Sequence, residues 1–263
     1  MDLELDDKVA AVGGASSGLG KAVAWALARE GARVAICARE ADRLGRTQRA
    51  IERASGREIF AFPTDLSTED GPGEFINATA REFGGLDILV CNAGGPPPTR
   101  LAGTAPDAWE HALSLSLLST VRLVQAAIPH MRRQQWGRII CLTSVSVKTP
   151  LPGMILSNTA RPGVVGFAKS VSEEYAVHGI TVNVICPGYM LTDRVEELAE
   201  DRAAGSELTV QQVMEETLTN IPAGRMGDPK ELGDLVAFLA SERAAYITGT
   251  AIQIDGGFHR GLL

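Results

Sequence analysis

The chain has 263 residues, 45% of them hydrophobic and 22% charged, and a formal net charge of -7. It can therefore bury a full core and is not an intrinsically disordered chain. The acidic balance argues against a nucleic-acid partner, which would want a basic face. Residues 1–7 are acidic and carry no signal-peptide pattern, and no apolar run reaches membrane-spanning length. The expectation is a cytoplasmic protein with no membrane and no nucleic-acid partner. Short apolar runs that read as strands occur at 9–12, 34–38, 58–62, 86–91, 138–142, 181–186 and 251–254. Helical patterns fill most gaps, notably 21–30, 42–54, 73–83, 106–133, 163–177 and 229–240. Alternating strand and helix predicts an α/β fold, one doubly wound, seven-stranded parallel sheet of Rossmann type with helices on both faces. No linker, repeat or low-complexity tract divides residues 1–263, so they read as one domain.

In such sheets a ligand lies beyond the carboxyl ends of the strands. The first strand runs into Gly13-Gly14-Ala15-Ser16-Ser17-Gly18-Leu19-Gly20 and then an Ala-rich helix. Gly14 suits a backbone conformation that a side chain forbids, Gly18 lets a phosphate approach, and Gly20 lets the helix pack closely. The positive N-terminal end of that helix then faces an anion. The second strand ends Cys37-Ala38-Arg39. An acidic residue there would bind a ribose 2'-hydroxyl, whereas Arg39 matches a 2'-phosphate, which favours NADP over NAD. Asp65, followed by Leu66, either accepts from an adenine amino group or caps a helix. Small residues in Asn92-Ala93-Gly94 let the backbone lie against a cofactor.

These residues resemble the short-chain dehydrogenase/reductase family over nearly the whole chain. Gly14 to Gly20 matches its dinucleotide motif, with Gly13 where the family usually has Thr. Asn92-Ala93-Gly94 matches its Asn-Ala-Gly motif, with Cys91 for the first Asn. Pro187-Gly188 followed by Thr192 matches the turn that holds the nicotinamide end, and 224–231 and 247–257 match the C-terminal region. The resemblance is nearest to bacterial 3-oxoacyl-thioester reductases. It implies cofactor contacts at Gly14, Ser16, Ser17, Gly18, Leu19, Gly20, Arg39, Asp65, Leu66, Asn92, Ala93, Gly94, Arg161, Pro187, Gly188 and Thr192. It also implies a small carbonyl or alcohol substrate, and a homotetramer or homodimer joined through the helices 106–133 and 163–177.

The family works with Asn, Ser, Tyr and Lys. Ser144 fits its serine. By family spacing the tyrosine falls at Ser157 and the lysine at Arg161, while Trp109 sets a register that puts Ser116 at the asparagine. A serine hydroxyl is a far weaker acid than a phenol of pKa ~10. Arginine lends no proton but can still donate to ribose hydroxyls. Lys148, just past Ser144, either supplies the missing proton or is an exposed loop lysine. Tyr189 either reaches the pocket with its phenol or is a packing aromatic.

The run 191–220 falls where the family carries a substrate lid and reads as two short amphipathic helices joined near Gly205. Its apolar residues suit either an apolar substrate or simple packing. Cys37, Cys91, Cys141 and Cys186 lie in or at the end of apolar runs and, like the four scattered histidines, show no metal-ligand spacing, so no metal is assigned. Two readings follow: an NADP-dependent oxidoreductase interconverting a carbonyl and an alcohol, or a catalytically impaired nucleotide-binding sensor or assembly protein on the same fold.

Overall fold

The structure is a computed structural model that describes residues 1–262. Its centre is a sheet of seven parallel strands: β1 (Val9–Val12), β2 (Arg33–Ala38), β3 (Ile59–Pro63), β4 (Ile88–Cys91), β5 (Gly137–Leu142), β6 (Ile180–Pro187) and β7 (Ala251–Ile254). Their spatial order is β3-β2-β1-β4-β5-β6-β7. The chain winds outward from β1 to β3, then returns past β1 to start β4, so β1 and β4 are neighbours whose connections leave in opposite directions. A crevice opens at their carboxyl ends for that reason.

The strands are continuous apolar runs because both faces of the sheet are covered. Alternate side chains serve two cores. Ala10, Val12, Val34, Ile36, Ile88 and Val90 face one side, with α1 (Gly18–Arg29) and α9 (Pro229–Ala240). Val9, Ala11, Ala35, Cys37, Leu89 and Cys91 face the other, with α3 (Gly71–Phe83), α5 (Ser119–Gln134) and α6 (Ile155–Tyr175). The four cysteines are all buried and unpaired, in keeping with their apolar surroundings. α2 (Ala41–Ser55) lies beside α1 and ends at Gly56, whose φ of 70° is a left-handed stop.

Two helices depart from expectation. The pattern over 106–133 is α4 (Pro106–Leu113), a π-turn (Ser114–Leu118) and α5 in one continuous rod. Serine and threonine hydroxyls bond back to carbonyls four residues earlier here, Ser119 to Leu115 O and Thr120 to Ser116 O, and such bonds disturb an α ladder. By length and composition the 29 residues Pro106–Gln134 would pass as a membrane span, which corrects the expectation that no run was long enough. Here Leu123, Val124, Ala127, Ile128 and Met131 of the rod are buried in the core beside the sheet. The second departure is α6, which begins at Ile155 rather than at 163 and runs through Pro162. Ser157 and Arg161 therefore share one face of a helix, a turn apart. The two helices of the 191–220 run are present as α7 (Asp193–Ala204) and α8 (Val210–Thr219), the latter closed by a Thr209–Gln212 capping box.

Gly20 is the tightest glycine at the crevice: a Cβ there would overlap Gly14 O and stand 2.9 Å from Asn92 Nδ2. Gly20→Ala is expected to cost about 1–3 kcal/mol by overpacking, read as a lower urea midpoint at unchanged slope.

Candidate active site

A cavity of about 490 Å³ lies along the carboxyl ends of the strands. One end is the turn between β1 and α1. Gly14 and Gly18 hold φ of 56° and 52°, which only glycine adopts freely. Asn92, leaving β4, donates its Nδ2 to Gly13 O and Gly14 O at 3.2 Å each, and Thr47 Oγ1 holds Ser16 O at 2.8 Å. Ser17 gives α1 no side-chain cap. The first N–H groups of α1 are thus left to face the cavity, as an anion site requires. Gly14, Ser16, Ser17, Gly18 and Leu19 line it, while Gly20 lies behind and sets the packing of α1 on the turn.

Beside the turn, Arg39, Asp65 and Leu66 also line the cavity. Arg39 is exposed. Asp65 Oδ1 accepts from Ser67 N at 2.8 Å and from Ser67 Oγ at 2.7 Å. Burial would raise the Asp65 carboxyl, but the Ser67 bonds and the charges of Arg39 and His111 bring it below its ordinary value. Arg43, absent from the expected set, lines the cavity too and pairs with Asp193 of α7 at 2.7 Å.

The other end is built by β5, α6 and β6. Ser144 Oγ accepts from Ser146 N at 3.1 Å. Arg161 spends three N–H groups on its own wall: Nε donates to Ser157 Oγ, one terminal nitrogen to Thr143 O and the other to Gly94 O, all at 2.9 Å. Burial and the nearby charge of Arg194 pull its guanidinium down to about 10, so it still carries its charge at neutral pH. Gly95 is a glycine because a Cβ would sit 2.8 Å from an Arg161 terminal nitrogen. Asn92, Ala93, Gly94, Pro187, Gly188 and Thr192 complete the lining between the two ends.

The structure thus brings Ser144, Ser157 and Arg161 into the same cavity as the glycine turn. Ser116 and Lys148 do not line it. Ser116 sits in the π-turn, buried, with an Oγ that has no hydrogen-bond partner among the described residues. Lys148 follows the 3₁₀ turn Val145–Val147, which carries it past the lining residues Ser144 and Val145. Tyr189 lines the cavity, but its ring packs edge-on against Phe258 and burial raises its phenol, making it a poorer acid. The sequence reading missed Arg194 of α7, whose terminal nitrogen donates to Pro96 O at 2.8 Å. Nothing local marks it, because its place depends on where α7 docks. No cluster of metal-ligating side chains occurs among the described residues.

A parallel, doubly wound sheet with a glycine turn and an uncapped helix at its crevice defines a dinucleotide-binding protein of Rossmann type. A family profile described as enoyl-(acyl carrier protein) reductase matches residues 14–259. The chain belongs to the short-chain dehydrogenase/reductase family. It is 36% identical over 264 residues to the 3-oxoacyl-[acyl-carrier-protein] reductase of Escherichia coli strain K12, covering 98% of this chain and 99% of that one. The Vibrio cholerae enzyme of the same name is 35% identical over 269 residues, with the same coverage. Among solved structures, L-sorbose reductase from Gluconobacter frateurii, complexed with NADPH and L-sorbose, superposes with a TM-score of 0.94 at 31% identity and full coverage of both chains. An actinorhodin polyketide ketoreductase with NADPH gives 0.93 at 30%, covering 98% of this chain and 99% of that one.

The Asn92 side chain ties the end of β4 to the glycine turn. Asn92→Ala removes two donors to carbonyls at the crevice, and a loss of about 1–3 kcal/mol is expected. Faster hydrogen exchange confined to residues 13–20 would show that the loss is local, as expected. Uniform acceleration would contradict it.

Proposed function

We propose that this chain is an NADP-dependent oxidoreductase that interconverts a carbonyl and an alcohol, with 3-oxoacyl-reductase-like chemistry. The carrying observation is that one cavity runs from the glycine turn and Arg39 to Ser144, Ser157 and Arg161. The residues fit the cofactor: a Cβ at Gly14 would crowd Asn92 O, and the uncapped α1 terminus offers N–H groups to a pyrophosphate. Arg39 offers charge for a 2'-phosphate, which fits the NADPH present in the sorbose reductase and ketoreductase structures. Ala93, Gly94, Pro187, Gly188 and Thr192 would flank the nicotinamide end. When bound, the cofactor supplies or accepts the hydride.

The chain itself positions the substrate and handles the proton. Ser144 Oγ accepts from Ser146 N, so its O–H is left to donate to the substrate oxygen. Ser157 Oγ accepts from Arg161 Nε, so its O–H is free in the same way. In reduction the oxygen gains negative charge, which the Ser144 and Ser157 hydroxyls stabilise by hydrogen bonds. Ser157 then passes its proton to that oxygen and takes one from a cavity water. Arg161 holds Ser157 in place and gives up no proton. With Ser157 and Arg161 where the family sets Tyr and Lys, proton transfer is the slow step.

Likeness to reductases over 98% of the chain favours catalysis over a silent binding role. The same reading makes α7 and α8 a substrate lid, since Asp193, Arg194, Val195, Glu197 and Leu198 face the cavity. It places the protein in the cytoplasm as a homotetramer or homodimer, which the exposed Leu113 and Leu118 on the long rod suit.

NADPH is expected to bind more tightly than NADH, read by nicotinamide fluorescence, and Arg39→Glu should reverse the order. Binding of neither would overturn the reading. The double change Ser157→Tyr with Arg161→Lys should raise turnover of a reducible carbonyl by about 10²–10⁴, the usual worth of one general acid. Unchanged turnover would show that these two positions do not limit proton transfer.

A further inference from the structure

The sequence is acidic overall, yet the serine end of the cavity is cationic. Arg161 makes no ion pair among the described residues; all three of its bonds go to neutral oxygens. A guanidinium has five N–H groups, so two remain. Arg194 approaches from α7. Its partner Glu197, 3.3 Å away and one turn on, is largely exposed, and such a surface pair is weak.

The two arginines are held by one short loop. Arg161 donates to Gly94 O at 2.9 Å and Arg194 to Pro96 O at 2.8 Å, with only Gly95 between. Gly95 carries no side chain that could separate them, and both arginines line the cavity. Arg194 is also one of the two causes that lower the Arg161 guanidinium. Two like charges that share one wall, each with spare donors, are relieved by an anion placed between them.

We propose that Arg161 and Arg194 form a carboxylate-binding subsite, and that the substrate is an oxo acid: a carbonyl compound that also carries a free carboxylate. This rests on the reductase reading above and names its substrate class. One carboxylate oxygen takes a donor from Arg161 and the other a donor from Arg194. The carbonyl is then left to Ser144 and Ser157.

The test is calorimetric binding of 2-oxopentanoate and 4-oxopentanoate, each against its methyl ester, to protein saturated with NADPH. At least one acid is expected to bind about 10- to 100-fold more tightly than its ester, the worth of charge-assisted bonds. The preference should shrink with added salt. Arg194→Gln should abolish the preference of acid over ester, and Arg194→Lys should restore part of it. Esters that bind as well as the acids, no binding of any of the four, or an Arg194→Gln protein that keeps the preference would each overturn the subsite. The NADPH titration is read separately on the same samples. Failure there removes the cofactor reading, whereas tight NADPH with no acid preference removes only the carboxylate subsite.

Discussion

The closeness of the turn after β1 to the end of β4 is the constraint on which the cavity depends. Gly20 lies against Gly14 O, and Asn92 ties the turn down through Gly13 O and Gly14 O. A side chain at position 14 or 20 would part β1, α1 and β4 at the point where the winding reverses. The same exit loop of β4 then reaches the far end of the cavity: Gly94 holds Arg161 and Pro96 holds Arg194. Residues 92–96 therefore set the distance between the glycine turn and the serine cluster. Asn92 acts through its side chain, whereas Gly94 and Pro96 act through their backbone carbonyls.

The chemistry at the cluster follows from what a guanidinium can and cannot do. An ammonium is a compact charge that rotates and gives up its proton when buried; a guanidinium is a planar fork that keeps its charge. Arg161 uses that fork as a brace between α6, β5 and the β4 exit loop, through Ser157, Thr143 and Gly94. The brace fixes the direction of the Ser157 hydroxyl and supplies a lasting positive charge, but no acid. It also keeps a positive charge at the wall before any substrate arrives, which sets the terms for what can bind.

Much of this was legible in the chain. The seven strands, the glycine turn, Asn92-Ala93-Gly94 and the pair Ser157 and Arg161 are local patterns, and each stands at the sheet's carboxyl edge in the structure. The misses have one physical origin, which is that tertiary packing overrides a local signal. The π-turn at Ser114–Leu118 keeps the apolar pattern of a helix, so periodicity passes over it. The expected helix begins at 163, yet α6 starts at Ile155 and carries Pro162 in its interior. Lys148 is near Ser144 in sequence, but a 3₁₀ turn takes it off the lining, whereas Arg194 is fifty residues on and lines the cavity. Neither position follows from spacing.

Net charge illustrates the same separation of scales. A value of -7 sums every charge in the chain, and it says nothing of the sign inside a cleft. Much of the cavity's acidic side is already engaged: Asp193 faces Arg43 and Asp65 turns to Ser67. Arg161 at the serine end has no ion pair among the described residues, and Arg194 has only the exposed Glu197. Low-dielectric walls concentrate that field, so an anionic substrate would be drawn to the serine end against the average charge of the protein. Residual charge after local pairing, rather than total charge, determines which substrates such a cavity selects.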